Sequence, residues 1–142
     1  MSAVNAARDE LERRIETIEA GYEFMLAYAA QGRPTDKGPG GGGKVRERLE
    51  AMANALDGLA DVARTVAGAD PSGAAEVAGP FLDALERDAL VARSIVRLVL
   101  SRADISSQLI DNLNASIHVR ALLTDLFVVD EALKGASEAE RK

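Results

Sequence analysis

DELERRIETIEAGYEFMLAYAA, Asp9 to Ala30, carries Leu11, Ile15, Ile18, Tyr22, Met25 and Ala29 at alternating spacings of four and three. On an α-helix that alternation gathers the apolar side chains into one stripe and leaves Glu12, Glu16, Glu19 and Glu23 beside it. Leu49, Met52, Leu56, Leu59, Ala63 and Val66 repeat the pattern in the next segment. Two long amphipathic helices therefore set the fold class. No run of alternating β-branched residues bounded by hairpin turns competes with them.

Working outward, the first helix is predicted over Val4 to Gln31 and closed by Gly32, Arg33 and Pro34. Arg33 to Gly43, RPTDKGPGGGG, is a glycine- and proline-rich loop. A second helix is predicted over Lys44 to Ala67, ending at Gly68. Asp70 and Pro71 then read as an N-cap and a first helical residue, opening a short helical turn from Pro71 to Ala78 that Gly79 and Pro80 interrupt. A third helix follows over Pro80 to Arg102, with Leu82, Leu85, Ala89, Ala92, Val96 and Val99 as its stripe. Leu90, Val91, Ile95, Leu98 and Leu100 widen its apolar arc. Asp104 is the predicted cap of a fourth helix over Ile105 to Leu133, which Gly135 stops, leaving residues 135–142 as a solvated tail. The expected architecture is all-α: a single domain over residues 1–142, folded as a four-helix up-down-up-down bundle with the extra turn between helices two and three.

The 142 residues, 47% of them hydrophobic, are enough to bury roughly 70% of the surface the unfolded chain exposes. There is no cysteine, which excludes disulfides, thiolate nucleophiles and cysteine-ligated metals. The formal net charge of −6 repels a phosphate backbone, so no nucleic-acid partner is expected. A strip at Arg33, Lys37, Lys44, Arg46 and Arg48 is diluted by Glu47 and Glu50. Met1 to Arg14 is polar, unlike a secretory signal. The apolar runs at Leu98 to Leu100 and Leu126 to Val129 are far shorter than the ~20 residues of a membrane span. A cytoplasmic protein without a membrane partner is expected.

The motifs that carry chemistry each lack a part. Gly38 to Lys44, GPGGGGK, has the glycine and lysine spacing of a phosphate loop, but Val45 stands where a hydroxyl would hold Mg²⁺ and the preceding segment is helical. A weak anion contact at Lys44 is the residual expectation. His118 is the sole histidine, which removes the paired Glu-x-x-His ligands of a di-iron bundle; no metal and no cofactor is expected. On a helix, His118 shares a polar face with Asp104, Ser107, Asp111, Asn114 and Asp125. It is a candidate phosphoacceptor, although Ala121 and Leu122 occupy the positions where histidine phosphotransfer proteins usually carry a lysine and a glycine. The serines and threonines lie on helices without an oxyanion hole.

Two patterns exceed what a minimal bundle needs. Phe24 and Tyr28 lie beside the first stripe, and Leu122, Leu123, Leu126, Phe127, Val128 and Val129 leave the fourth helix little polar surface. Phe24, Tyr28, Leu123, Phe127 and Val128 are the predicted interaction surface of a homodimer. Gln108 and Asn112 fall in line with Ile105 and Val119, which predicts either buried amides or a stripe shifted to Leu109, Leu113 and Ile117. With Tyr22 and Met25 these amides are the candidate lining of a small-ligand pocket. The function expected first is non-catalytic: a regulator, adaptor or assembly factor working through protein–protein contact. The rivals are phosphotransfer through His118, ligand binding between helices and, most distantly, a nucleotide enzyme.

Overall fold

The computed structural model describes residues 3–38 and 43–140, and among them it is all helix and connection, with no strand. Six helices form: α1 (Ala3–Ala29), α2 (Gly43–Leu56), α3 (Leu59–Gly68), α4 (Ala74–Leu100), α5 (Ser107–Ala115) and α6 (Ile117–Glu140). The expected second and fourth helices are each broken in two, and the expected turn before the third is absorbed into α4. α1 packs against α2, α3, α5 and α6, and α4 packs against the same four. The predicted stripes fill the core: Leu11, Ile15, Ile18 and Met25 from α1 meet Leu49, Met52, Leu56, Leu59, Ala63 and Val66, and the α4 stripe is buried throughout.

Each departure has a local cause. Gly58 adopts φ 77 and ψ 8, the left-handed conformation that ends a helix, so α2 stops at Leu56 and α3 begins at Leu59. The stripe hides this break because the step from Leu56 to Leu59 still keeps both leucines buried. Asp70 does not cap α4; its Oδ1 accepts the Ser72 N–H at 2.9 Å in a local turn, and Gly73, at φ 79, precedes the helix without a side-chain cap. Gly79 and Pro80 do not interrupt α4. Pro80 removes the hydrogen bond to the Glu76 carbonyl, but both residues are exposed, where water serves that oxygen.

Asp104 does not cap the helix that follows; Ser106 does, accepting the Leu109 N–H at 3.0 Å. Ser116 then opens a new helix, with ψ 129 and its Oγ accepting the His118 N–H at 3.2 Å. Gly135 does not stop α6, whose backbone continues as helix to Glu140, so the predicted tail is helical over most of its length.

Polar bonds fasten the ends of these helices together. Asp36, with its side chain 4% exposed, accepts from Arg46 Nε at 2.6 Å and from the Ile105 N–H at 2.9 Å. Arg46 also donates to the carbonyls of Leu100, Arg102 and Ala103, at 3.1, 2.8 and 3.1 Å, the last residue of α4 and two residues of the connection after it. Tyr28 Oη donates to the Ile105 carbonyl at 2.6 Å, and Ser107 Oγ donates to the Tyr28 carbonyl at 2.7 Å while accepting the Arg33 N–H at 2.8 Å. At the α2–α3 break, Arg14 from α1 reaches the carbonyls of Ala55 and Asp57, and Arg93 from α4 reaches that of Ala53.

The Arg46 guanidinium, more than its hydrogen bond from the Ile105 N–H, holds Asp36 below the usual aspartate range. Its contribution is therefore complete above the unfolded pKa and lost as pH falls through the lower folded value. Arg46→Met, which strands a buried carboxylate, is expected to cost about 3 kcal/mol in urea unfolding at neutral pH. Asp36→Asn should flatten the acid limb of the stability profile.

Candidate functional site

α4 turns one face to the core and the opposite face to solvent. Leu82, Leu85, Ala89, Ala92, Val96 and Val99 are buried, whereas Leu90 is 65%, Val91 38% and Leu98 63% exposed. On α6 the buried set is Val119, Leu122, Leu123, Leu126, Val129 and Leu133, and Ile117, Phe127 and Val128 are exposed, Phe127 to 59%. The two helices pack directly against each other. Their seam is marked by Asp88 and Asp125, whose carboxyls meet across it. Val91 lies three residues beyond Asp88 and Val128 three beyond Asp125, so both exposed valines stand beside the same seam. Exposed apolar side chains on these two adjacent helices are the most distinctive surface feature of the described residues, with Val91 and Val128 beside the seam and Leu90, which borders the α2–α3 break, on the far flank of α4.

The predicted interaction surface is thereby redrawn. Tyr28 and Leu123 belong to the core, at 2% and 7% exposure, and Tyr28 is fixed there by its bond to Ile105. Phe24 is half-buried, stacked on Tyr28 with ring centroids 6.5 Å apart and covered by the Arg48 guanidinium 5.6 Å from its ring. Phe127 and Val128 stay outside, joined by Leu90, Val91 and Leu98. The last three were visible in the sequence as the widened arc of the third helix.

The predicted pocket is not assembled. Met25 is fully buried and Tyr22 half-buried, while Gln108 and Asn112 are exposed and bond to each other, Nε2 to Oδ1, at 3.3 Å. None of the four lines the open groove of about 270 Å³ at the α2–α3 break, which is formed by Leu56, Leu59, Ala89 and Leu90 with Asp57, Asp61, Glu86 and Arg93 around them. The acidic rim is largely spoken for: Arg64 takes Asp61, Asp83 and Glu86 at 3.1, 2.8 and 2.5 Å. A cavity of about 20 Å³ between α1 and α6, touching Leu11, Ile15, Val129 and Leu133, holds no more than a water.

His118 is exposed in the first turn of α6. The polar face predicted around it is split, because the break at Ser116 changes the helical phase: Ser107 and Asn114 are buried and Asp125 is half-buried. Lys44 is exposed at the start of α2, and the loop residues 39–42 before it lie outside the described residues. The basic strip is dispersed, with Arg46 on Asp36 and Lys37 3.7 Å from Asp104. Among the described residues no cluster of three or more His, Asp or Glu side chains is placed to hold a metal ion, and no helix is long and apolar enough to cross a membrane. Of the α1 glutamates, Glu19 is pushed upward by burial first and then by the nearby charges of Asp130, Glu23 and Glu16.

Two features escaped the sequence reading. The Asp88–Asp125 meeting joins residues on different helices that no spacing rule connects. Asn114 is 7% exposed, and its amide has no hydrogen-bond partner among the described side chains and backbone. Compared with protein-family models, curated proteins and solved structures, the chain gives no match.

Tyr28→Phe removes one buried hydroxyl and leaves the Ile105 carbonyl unpaired. A loss of about 1 to 2 kcal/mol is expected in chemical denaturation, with the helical circular dichroism of the native state unchanged.

Proposed function

We propose that this chain is a non-catalytic helical-bundle protein that acts through protein–protein contact, as a small regulator, adaptor or assembly factor, and that it works as a homodimer. The observation that carries the reading is the outward apolar face of α4 and α6, which the chain's own core leaves uncovered. Within this reading, α2 with α3 and α5 with α6 each act as one bent rod. Together with α1 and α4 they make an up-down-up-down arrangement of four rods in a single domain. A cytoplasmic setting suits a cysteine-free, acidic chain.

A symmetric pair is the simplest use of such a face, since a two-fold axis lets one patch cover itself. The candidate chemical groups give the rival readings less support. His118 is followed by the half-buried Ala121 where a phosphotransfer helix carries a lysine, and by the buried Leu122 where it carries a glycine. The amides proposed for a ligand pocket point to water. The face on α4 and α6 asks for a partner of apolar character.

Light scattering after size exclusion, with native mass spectrometry, is expected to give twice the chain mass with no retained small molecule. Leu98→Glu combined with Phe127→Glu should yield a monomer of unchanged helicity, because like charges would then face each other across the axis. A dimer indifferent to both changes, or a monomer at every concentration, would overturn the homodimer. A retained small molecule would shift attention to the interior.

A further inference from the structure

Asp88 and Asp125 meet in surroundings that offer no countercharge. One turn away on α4 stand Ala84, Leu85, Val91 and Ala92, and one turn away on α6 stand Ala121, Leu122, Val128 and Val129, all apolar. No cation on the other elements packed on α6 acts on Asp125; Arg8 and Glu12 of α1 lie further along, lining a cavity with Val129, Asp130 and Leu133. Glu19 of α1 acts with Asp130, Arg64 of α3 is held by Asp61, Asp83 and Glu86, and Asp111 of α5 is exposed. His118, on α6 itself, lies two turns before Asp125 and faces solvent. Asp88 is the charged group that acts on Asp125.

Asp125 Oδ2 is buried and has no hydrogen-bond donor within reach. With both carboxyls ionised, that oxygen would be an unsatisfied acceptor placed beside another anion. One proton resolves both conflicts, since a protonated carboxyl becomes a donor to its neighbour and the pair carries a single charge. We infer that Asp88 and Asp125 hold one proton between them across the α4–α6 seam, and that its loss at alkaline pH sets two charges against each other and loosens α6 from α4.

Burial first, then the bond to Asp88 and its charge, raises the pair's titration at Asp125 to about 7 from an ordinary 3.8. The folded protein therefore binds more protons than the unfolded chain between those values. Stability falls as pH rises across that window and levels off above it. Asp36 has the opposite sign, so the two carboxyls limit the protein from opposite ends of the pH scale.

Carboxyl carbon NMR of the intact chain, followed through a pH titration, is expected to show a coupled pair with one step near neutrality. Asp125→Asn keeps the donor to Asp88 and removes one charge. It should raise the thermal midpoint at about pH 9 by roughly 4 °C, a gain that shrinks as pH falls toward the ordinary aspartate range. Amide exchange along Ala121 to Val129, corrected for its intrinsic rate, should rise with pH in the natural chain and not in the variant. Asp88→Asn is the second variant, in case the first folds poorly, and should behave alike. Both aspartates titrating in the ordinary acidic range would overturn the inference, as would variants that gain nothing at about pH 9. A midpoint raised by millimolar Mg²⁺ in the natural chain alone would overturn it in favour of a bridging cation.

Discussion

The contact between Asp36 and Arg46 is the constraint on which the arrangement of the helix ends depends. A helix that stops inside a protein leaves carbonyls without donors, and the guanidinium of Arg46 serves that of Leu100, the last residue of α4, and those of Arg102 and Ala103 in the connection that follows. The same guanidinium neutralises a carboxylate that is itself nearly out of solvent. Asp36 also holds Ile105, five residues beyond the end of α4, through its N–H, and Tyr28 from α1 holds the carbonyl of that residue. Five segments of chain thus converge on bonds that cannot be made singly. Arg14 and Arg93 repeat the device at the end of α2. Arginine suits all three positions because its planar fork presents several donors at fixed angles.

What the sequence made legible follows from this division of labour. The core stripes of α1, α2, α3 and α4 are periodic, and periodicity is a local property, so those residues could be assigned before any contact was known. The breaks at Gly58 and Ser116 were not legible. At Gly58 the apolar spacing continues across the interruption, and the carbonyls it exposes are satisfied by arginines from other helices. At Ser116 a single side chain offers its neighbours a hydrogen bond as good as the helical one. Pro80 misled in the other direction: a residue that usually ends a helix is tolerated where water can take its missing bond. The candidate surface was half legible. Apolar excess on the third and fourth predicted helices could be counted, but which members point inward depended on the phase set at Ser116 and, for Tyr28, on a hydroxyl partner supplied by Ile105.

Asp36 and Asp125 show how little a residue's identity says about its charge. Asp36 is buried and Asp125 keeps one oxygen out of solvent, and both meet a titratable or charged partner. Asp36 meets a guanidinium and the Ile105 N–H, so burial strengthens its ionised form's interactions more than it penalises the charge. Asp125 meets another carboxyl among alanines, leucines and valines, so burial and repulsion act together. One aspartate ties helix ends together as an anion. The other sits easily in its seam only while the pair keeps a proton.

The outward face follows from the same change of phase. Had α5 and α6 been continuous, Ile117 would follow Leu113 along the buried stripe; instead Leu113 is buried and Ile117 is exposed. The core resumes at Val119, and Phe127 and Val128 emerge on the side away from it. Single exposed apolar residues need no explanation in a folded protein. Here, though, exposed leucines and valines of α4 and the exposed phenylalanine and valine of α6 belong to two helices that share a seam. They lie outside a core that is already complete, and the fold of one chain covers each of them only in part. Their value lies in what can cover them, which is why the surface, more than any polar group in the molecule, carries the functional reading.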